Sequence, residues 1–445
     1  MPIFYNLLLH LFLAGAAPLL LPLILLTPRR RRTVLQRLGL ADRPPRPEPG
    51  SGAGRGPVWV HALSVGETIS AVPLVRGLAG ACDGRRLVLS VSTLSGFEIA
   101  RQQLGGLAAH LFYCPYDLPF SIRRTVARVR PAMVVIVESD LWPNFLTYLA
   151  GRGVPVALVN ARLSEKSFQG YRRFPGFTRR VLRCLALVCA QSPRDAARFH
   201  ALGVPWGRLT VTGNLKFDQP APAGPAEEAA VWRRRLFLPP PAPVIVAGST
   251  HPGEEELLLK AFARLRADLP EVRLIVAPRN PQRAIAVARL FQAAGFTART
   301  LENLSGSDGP RPWTVAVVDV LGVLRRLYAL ADIAVIGGSF VPLGGHNPLE
   351  PAAWGKPVIF GGDMRNFREA ARLLLAAGGA VQVADAPALD RQAVDLLQNP
   401  SRARLMGRQA AAVFQANKGA VTRTVAALKR LCPPATGYTV WGGSR

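Results

Sequence analysis

I-A-V-I-G-G-S-F-V-P-L-G-G-H-N-P-L-E-P-A-A-W-G-K-P-V-I-F-G, from Ile333 to Gly361, holds every part of a strand–helix–strand unit. Ile333 to Ile336 is a short apolar, β-branched run of the kind that forms a buried strand, and glycines end it. Pro348 fits the first turn of a helix beginning near Asn347-Pro348, where its missing N–H costs nothing. Pro357 to Phe360 is the next strand. Gly337, Gly338, Gly344 and Gly345 are expected to leave backbone N–H groups uncovered, so that a phosphate can sit against them and the helix start. Glu350, one turn in, is placed to accept from ribose hydroxyls. Ordinary strand–turn–helix corners also contain glycine, but few are this dense in polar groups.

The same alternation extends outward in both directions. Val244 to Ala247, Arg273 to Ala277 and Val315 to Val318 read as further strands of this half. Nearer the N-terminus, Val58 to Val60, Leu87 to Val91, Met133 to Val137 and Val154 to Val159 do the same, with helices over Glu67 to Gly80 and Ser121 to Arg130. Strands alternating with helices imply doubly wound parallel sheets, and two such runs imply two Rossmann-like α/β domains facing a cleft. Pro/Gly-rich and Pro/Ala-rich breaks divide the chain into an anchor with its basic flank (1–32), a linker (33–57), a first domain (58–216), a linker (217–242), a second domain (243–431) and a tail (432–445). Helices near Arg402 to Leu431 are expected to close the second domain.

Composition narrows the class. The chain has 445 residues, and 55 Lys plus Arg against 28 Asp plus Glu give a net charge of +27. Such an excess attracts anions: nucleic acid, an acidic membrane surface or a phosphorylated substrate. No recognised DNA- or RNA-binding motif accompanies it, so no nucleic-acid partner is expected. Cys82, Cys114, Cys184, Cys189 and Cys432 are scattered, without a C-x-x-C pair, and are expected as free thiols. Leu7 to Leu26 is apolar apart from His10, Gly15, Pro18 and Pro22, which matches the roughly 20 residues of a membrane-crossing helix. Arg29 to Arg32 follow it and no Lys or Arg precedes it, so the positive-inside rule puts the body in the cytoplasm behind a single-pass anchor. A cleaved signal peptide, with Ala14-Gly15-Ala16 as its site, is the competing reading, but the basic start such peptides carry is lacking.

Polar clusters recur where strands end. H-A-L-S-V-G-E (His61 to Glu67) puts Glu67 at a helix start, where a carboxylate either takes a proton from an attacking hydroxyl or simply favours the helix dipole. E-S-D-L-W-P-N (Glu138 to Asn144) and N-A-R-L-S (Asn160 to Ser164) follow the next strands, and G-N-L-K-F-D (Gly213 to Asp218) places Lys216 at the domain boundary. A-P-R-N-P (Ala277 to Pro281) offers Arg279 as a phosphate clamp, or as a surface arginine in a proline-rich turn. Lys166 to Arg183 interleaves Arg172, Arg173, Arg179 and Arg180 with aromatic residues, a composition suited to an anionic lipid surface.

Taken in order and at these spacings, the six motifs H-A-L-S-V-G-E, E-S-D-L-W-P-N, N-A-R-L-S, G-N-L-K-F-D, P-R-N-P and G-G-H-N-P-L-E-P resemble those of the Kdo (3-deoxy-D-manno-octulosonic acid) transferases, over Trp59 to about Ala380. The resemblance implies a GT-B fold and an inverting transfer of Kdo from CMP-Kdo to the lipid A precursor lipid IVA, at the inner membrane and without a cofactor. It implies that the first domain binds acceptor and the second the CMP-sugar. Glu67 matches the family's proton acceptor, and Glu138 and Lys216 match its transition-state stabilisers. Pro278, Arg279, Leu321, Gly322, Val323, Asn347, Pro348, Leu349 and Glu350 match its CMP-binding positions. The chain departs from the family pattern at Asn280 (usually His), Val323 (usually an acid) and Asp140 (usually Glu). No Asp-x-Asp metal motif stands at a strand end, so no metal is expected. Another GT-B transferase using a different nucleotide sugar is the enzyme alternative; a basic surface-binding protein is the non-enzyme one.

Overall fold

A computed structural model describes residues 2–25, 27–40, 56–81, 85–138, 140–218, 224–239, 242–304 and 312–432. The chain forms two units, one of Met1–Gln219 with Lys418–Arg445, the other of Pro220–Asn417.

In the first unit, β1 (Val58–Ala62), β2 (Leu87–Val91), β3 (His110–Tyr113), β4 (Met133–Val137), β5 (Val156–Ala161), β6 (Leu187–Ala190) and β7 (Leu209–Val211) form one sheet. Its order is β3-β2-β1-β4-β5-β6-β7, parallel throughout. Every residue of β1, β2, β4 and β5 is buried, because helices cover both faces. Alternation then assigns side chains to two cores: Trp59, Val134 and Ile136 join one, Val58, Val60 and Val135 the other.

The second unit repeats the plan with β8 (Val244–Thr250), β9 (Arg273–Pro278), β10 (Ala298–Thr300), β11 (Val315–Val317), β12 (Ile333–Ile336), β13 (Val358–Phe360) and β14 (Ala380–Gln382), in the order β10-β11-β9-β8-β12-β13-β14. Here too the pairing is parallel, and Ile245 and Ala247 face one core while Val244 and Val246 face the other. In each sheet the order reverses beside the first strand: between β1 and β4, and between β8 and β12. Strands that the sequence left unread (β3, β6, β7, β10 and β14) are short and stand at or next to sheet edges, where a long apolar run is not required.

Three expected boundaries are revised. The 217–242 break is not a plain linker: Pro225–Arg235 is a helix whose Trp232 is buried in a core of the second unit. The closing helix Ala420–Lys429 belongs to the first unit, not to a second domain ending at 431. It packs against the helix Val65–Ala79, and Ala420 and Leu428 enter the core with Val58 and Val60. Of the linker 33–57, residues 33–37 continue a helix, Pro28–Arg37, and 41–55 lie outside the described residues, as do 433–445 of the tail.

The expected anchor lies in the helix Pro2–Leu25 except for Leu26, which is outside the described residues. Side chains 19–25 are also outside the described set, and among the described residues no helix is long and apolar enough to cross a membrane. The start of this helix is fixed to the first unit. Tyr5 Oη donates to Asp117 Oδ2 at 3.0 Å, and Asn6 and Asn144 exchange amide hydrogen bonds of 3.1 and 2.6 Å. The Asp117 carboxylate also accepts from the backbone N–H groups of Asn144 and Phe145, so it caps the helix Pro143–Gly151 while holding Tyr5. Cys114, Cys184, Cys189 and Cys432 are free thiols, as expected; Cys82 lies outside the described residues.

Asp218 ties the returning chain to the first unit, accepting from Gly419 N at 2.6 Å and from Val421 N. Asp218→Ala should therefore cost about 1–3 kcal/mol, the usual penalty for orphaned backbone donors. Hydrogen exchange should quicken across 420–429. Unchanged exchange there would show that packing of Leu428 holds the helix by itself.

Candidate active site

The predicted catalytic residues gather at the strand-order reversal of the first sheet. β1 leads through Leu63 and Ser64 into the helix Val65–Ala79, and Ser64 caps it by accepting from Glu67 N. That cap puts Glu67 in the first turn, where its Oε2 accepts from Leu63 N at 2.5 Å. Burial pushes the Glu67 carboxyl up to about 7, with the Glu138 and Asp140 charges adding to the rise and the Leu63 hydrogen bond and His61 opposing it.

Glu138 follows β4 in a left-handed conformation, φ 67°, and Asn160 ends β5 in the same region, φ 52°. Lys216 Nζ lies 3.5 Å from Glu138 Oε1, and Arg162 Nε lies 3.9 Å from Oε2. Asn160 Oδ1 accepts from Leu215 N at 3.0 Å, which positions the turn Leu215–Asp218 and with it Lys216. Glu67, Glu138 and Lys216, dispersed in sequence, are thus brought together.

His61 and Asp140 extend this cluster inward. Fully buried His61 makes a 2.7 Å contact from Nε2 to Asp140 Oδ2 and a 2.9 Å contact from Nδ1 to Ser90 Oγ. Ser90 Oγ also accepts from Trp59 Nε1 at 2.7 Å. Burial opposes charging of the imidazole, but Cys114 and the Asp140 carboxylate outweigh it and hold its pKa well above the ordinary value. Both residues stood in the quoted motifs, yet nothing in the spacing paired them; the signal lay in β1 and β4 being neighbours.

In the second unit the glycine turn does not leave its N–H groups uncovered as expected. Gly337 N donates to Gly248 O, Gly338 N to Glu254 Oε2, Gly344 N to Asp363 Oδ2 and Gly345 N to Gly338 O, at 2.7–2.8 Å. A Cβ on Gly337 would stand 2.3 Å from Ser249 O, so glycine serves close backbone approach there. Pro348 also sits one place earlier than expected, as the cap before the short helix Leu349–Ala353 rather than inside it.

Asn347 Oδ1 accepts from Leu349 N, and its Nδ2 donates to Glu350 Oε1 at 3.3 Å. Burial raises the Glu350 pKa, while Asn347, Arg325 and Arg279 pull it down. The Arg279 side chain is exposed just beyond Pro278, the end of β9, and its backbone N–H donates to Thr250 O. Leu321, Gly322 and Val323 form the turn after β11, the strand beside β9; Leu321 is exposed, and Gly322 has φ 85°. Val323 caps the short helix Leu324–Leu327, its carbonyl accepting from Arg326 N and Leu327 N. Asn280 caps its own turn by accepting from Gln282 N.

His251, Glu254 and His346 were missed as site residues. G-S-T-H-P-G-E-E-E (Gly248 to Glu256) runs from a strand end into a helix, the same signal that picked out Glu67. Arg172, Arg173, Arg179 and Arg180 are exposed on the helices Glu165–Arg172 and Pro175–Leu182 or between them, apart from the carboxylate cluster in sequence.

Two doubly wound parallel units, each with polar side chains at its reversal of strand order, define the GT-B class of proteins. A UDP-GlcNAc 2-epimerase from Neisseria meningitidis shares this fold, with a TM-score of 0.58 at 15% identity over 84% of this chain and 99% of that one. The family model "3-Deoxy-D-manno-octulosonic-acid transferase (kdotransferase)" matches residues 32–219. The 3-deoxy-D-manno-octulosonic acid transferase of Haemophilus influenzae is 33% identical over 91% of this chain and 92% of its own length. That of Bordetella pertussis is 37% identical over 84% and 87%. The chain belongs to the Kdo transferase family of glycosyltransferases.

Glu138→Gln should lower the Glu67 pKa from about 7, because one of the negative charges that raise it is removed. The carboxyl carbon of Glu67, followed by NMR through a pH titration, reads this directly. An unmoved midpoint would remove Glu138 from the causes of the shift and leave burial and Asp140.

Proposed function

We propose that this protein transfers Kdo from CMP-Kdo to a hydroxyl of a lipid A precursor, lipid IVA, with Glu67 as general base. The observation that carries the reading is the placing of Glu67 in the first helical turn beyond β1, at the strand-order reversal that also holds Glu138 and its partner Lys216, with burial raising its carboxyl to about 7. A base with that pKa can accept a proton at neutral pH and is strong enough to assist the hydroxyl. Glu67 takes the acceptor proton, the hydroxyl oxygen forms a bond to the anomeric carbon of Kdo, and the bond from that carbon to the CMP phosphate oxygen breaks with inversion. Lys216, held at Glu138, offers positive charge where negative charge develops. Arg279 clamps the phosphate of CMP, and Pro278, Leu321, Gly322, Val323, Asn347, Pro348, Leu349 and Glu350 complete the nucleotide contacts.

The acceptor is a lipid, so the enzyme must meet it at a bilayer. The helix Pro2–Leu25 holds the protein at the inner membrane with its body on the cytoplasmic side, a reading supported by the Arg29 to Arg32 run that follows it. Tyr5 near the start of that helix lies 6.0 Å, ring to ring, from Phe177, in the basic segment that carries Arg172, Arg173, Arg179 and Arg180. Phe174 between them is 68% exposed. Anchor and basic face are therefore contiguous.

Incubation with CMP-Kdo and lipid IVA should give a product heavier by Kdo, at a rate that rises with pH through about 7 as Glu67 ionises and then levels. Glu67→Gln should cut turnover by about 10²–10⁴-fold while CMP still inhibits; near-normal turnover would remove Glu67 from the role. Replacing Arg172, Arg173, Arg179 and Arg180 with Gln should raise the apparent acceptor KM without changing CMP inhibition. Binding to anionic liposomes should weaken by about 1 kcal/mol per charge near the surface. Unchanged liposome binding and KM would leave that segment an ordinary solvated face.

A further inference from the structure

At the strand-order reversal of the second sheet, the turn after β8 and the turn after β12 each present a histidine. His251 Nε2 and His346 Nε2 are 2.8 Å apart, with the rings nearly parallel at 5.1 Å between centroids. The arrangement is held from beneath by one carboxylate. Glu254, 1% exposed, accepts from His251 N, Gly338 N, Ser339 N and Phe340 N at 2.7–3.1 Å, so both histidine-bearing turns hang on the same group. Gly338 completes the seat: its φ is 67°, and a Cβ there would stand 2.9 Å from His346 Cδ2.

Two imidazole nitrogens in hydrogen-bond contact need one N–H and one lone pair, so the closed pair holds a single proton between them. The charges that act on the pair are Arg279 beyond β9, on His346, and the Glu254 carboxylate, on His251; Glu350 on the helix Leu349–Ala353 feels the same Arg279, and the Asp363–Arg365 ion pair binds Gly344 N two residues before His346. Glu254 is committed to the backbone. Burial, Arg279 and His251 hold His346 down at about 4, so this imidazole rests neutral beside the Arg279 cation. An arriving anion reverses that balance, because it favours the charged imidazole.

We propose that the His251–His346 pair is a proton-dependent anion contact of the donor site, which takes up a proton as the nucleotide phosphate arrives and adds a positive charge to that of Arg279. The inference rests on the CMP-sugar reading above. No bond other than that to the transferred proton changes, and the proton comes from solvent.

Calorimetric titration of the full chain with CMP at pH 7.5, in two buffers of different ionisation heat, counts the protons taken up. The wild type should take up a measurable fraction of a proton with CMP and none with cytidine. CMP's own phosphate titrates near 6, equally for every variant, so differences between proteins isolate the imidazoles. His346→Gln and, independently, His251→Gln should abolish the uptake. The wild type should bind CMP about three- to tenfold more tightly than either variant at pH 6, with the ratio approaching one at pH 8. Equal proton counts in wild type and variants would overturn the proposal, as would equal uptake with cytidine. Should a Gln variant fail to fold, the Asn variant at the same position is titrated in its place, because only a comparison between proteins removes the contribution of CMP's own phosphate. Absence of CMP binding to the wild type would overturn the donor reading together with this one, whereas binding without uptake would overturn only the pair.

Discussion

A parallel sheet whose strand order reverses sends the crossovers from two adjacent strands to opposite faces, and the ground above their C-terminal ends is left uncovered. Polar and titratable side chains gather on that ground in both sheets. In the first sheet it lies between β1 and β4, and its occupants are Glu67, His61, Glu138 and Asp140. In the second it lies between β8 and β12, and it holds His251, Glu254 and the glycine turn before His346. Neither set is adjacent in sequence. Parallel pairing with fixed register makes them neighbours, so the sites depend on strand order before they depend on any side chain.

Carboxylates in the interior, together with half-buried Asp218, divide into two kinds according to what they touch. Asp117, Asp218 and Glu254 are surrounded by backbone N–H donors and stitch a helix start, a returning chain and two turns. Each substitutes for hydrogen bonds that the local backbone cannot make. Glu67, Glu138 and Asp140 have fewer such donors and stand near one another instead, so burial, and after it the charges of Glu138 and Asp140, raise the Glu67 proton affinity. The first kind is satisfied by the backbone; the second is left in competition. The same contrast separates Glu254, fully engaged, from the histidine pair it supports.

Central strands were legible in the sequence because burial on both faces demands continuous apolar runs: Leu87–Val91, Met133–Val137 and Ile333–Ile336 are found where they were read. The edge strands, as short as Leu209–Val211 and Ala380–Gln382, carry no such demand and were invisible. Strand-end motifs located Glu67, Glu138 and Lys216, since a polar residue after a buried strand has little structural reason to be there. What spacing could not supply was partnership. The His61–Asp140 contact, Glu254 beneath its turns, and the return of Ala420–Lys429 to the first unit all join residues distant in the chain. The glycine turn misled for the same reason: its N–H groups are free in isolation and are filled only by the strands and loops around them.

Glu138 and Asn160 hold left-handed backbone conformations that glycine would adopt without strain, and a non-glycine residue there carries a penalty of about 1–3 kcal/mol. The strain sits at the residue that raises Glu67 and contacts Lys216, and at the residue that fixes the Lys216 turn. Mutational drift toward a more stable chain would therefore tend to relax these two positions first. Variants enriched solely for thermal resistance should accumulate glycine at 138 and lose the carboxylate that meets Lys216 while keeping their fold, so retention of both strained residues marks selection for something other than persistence.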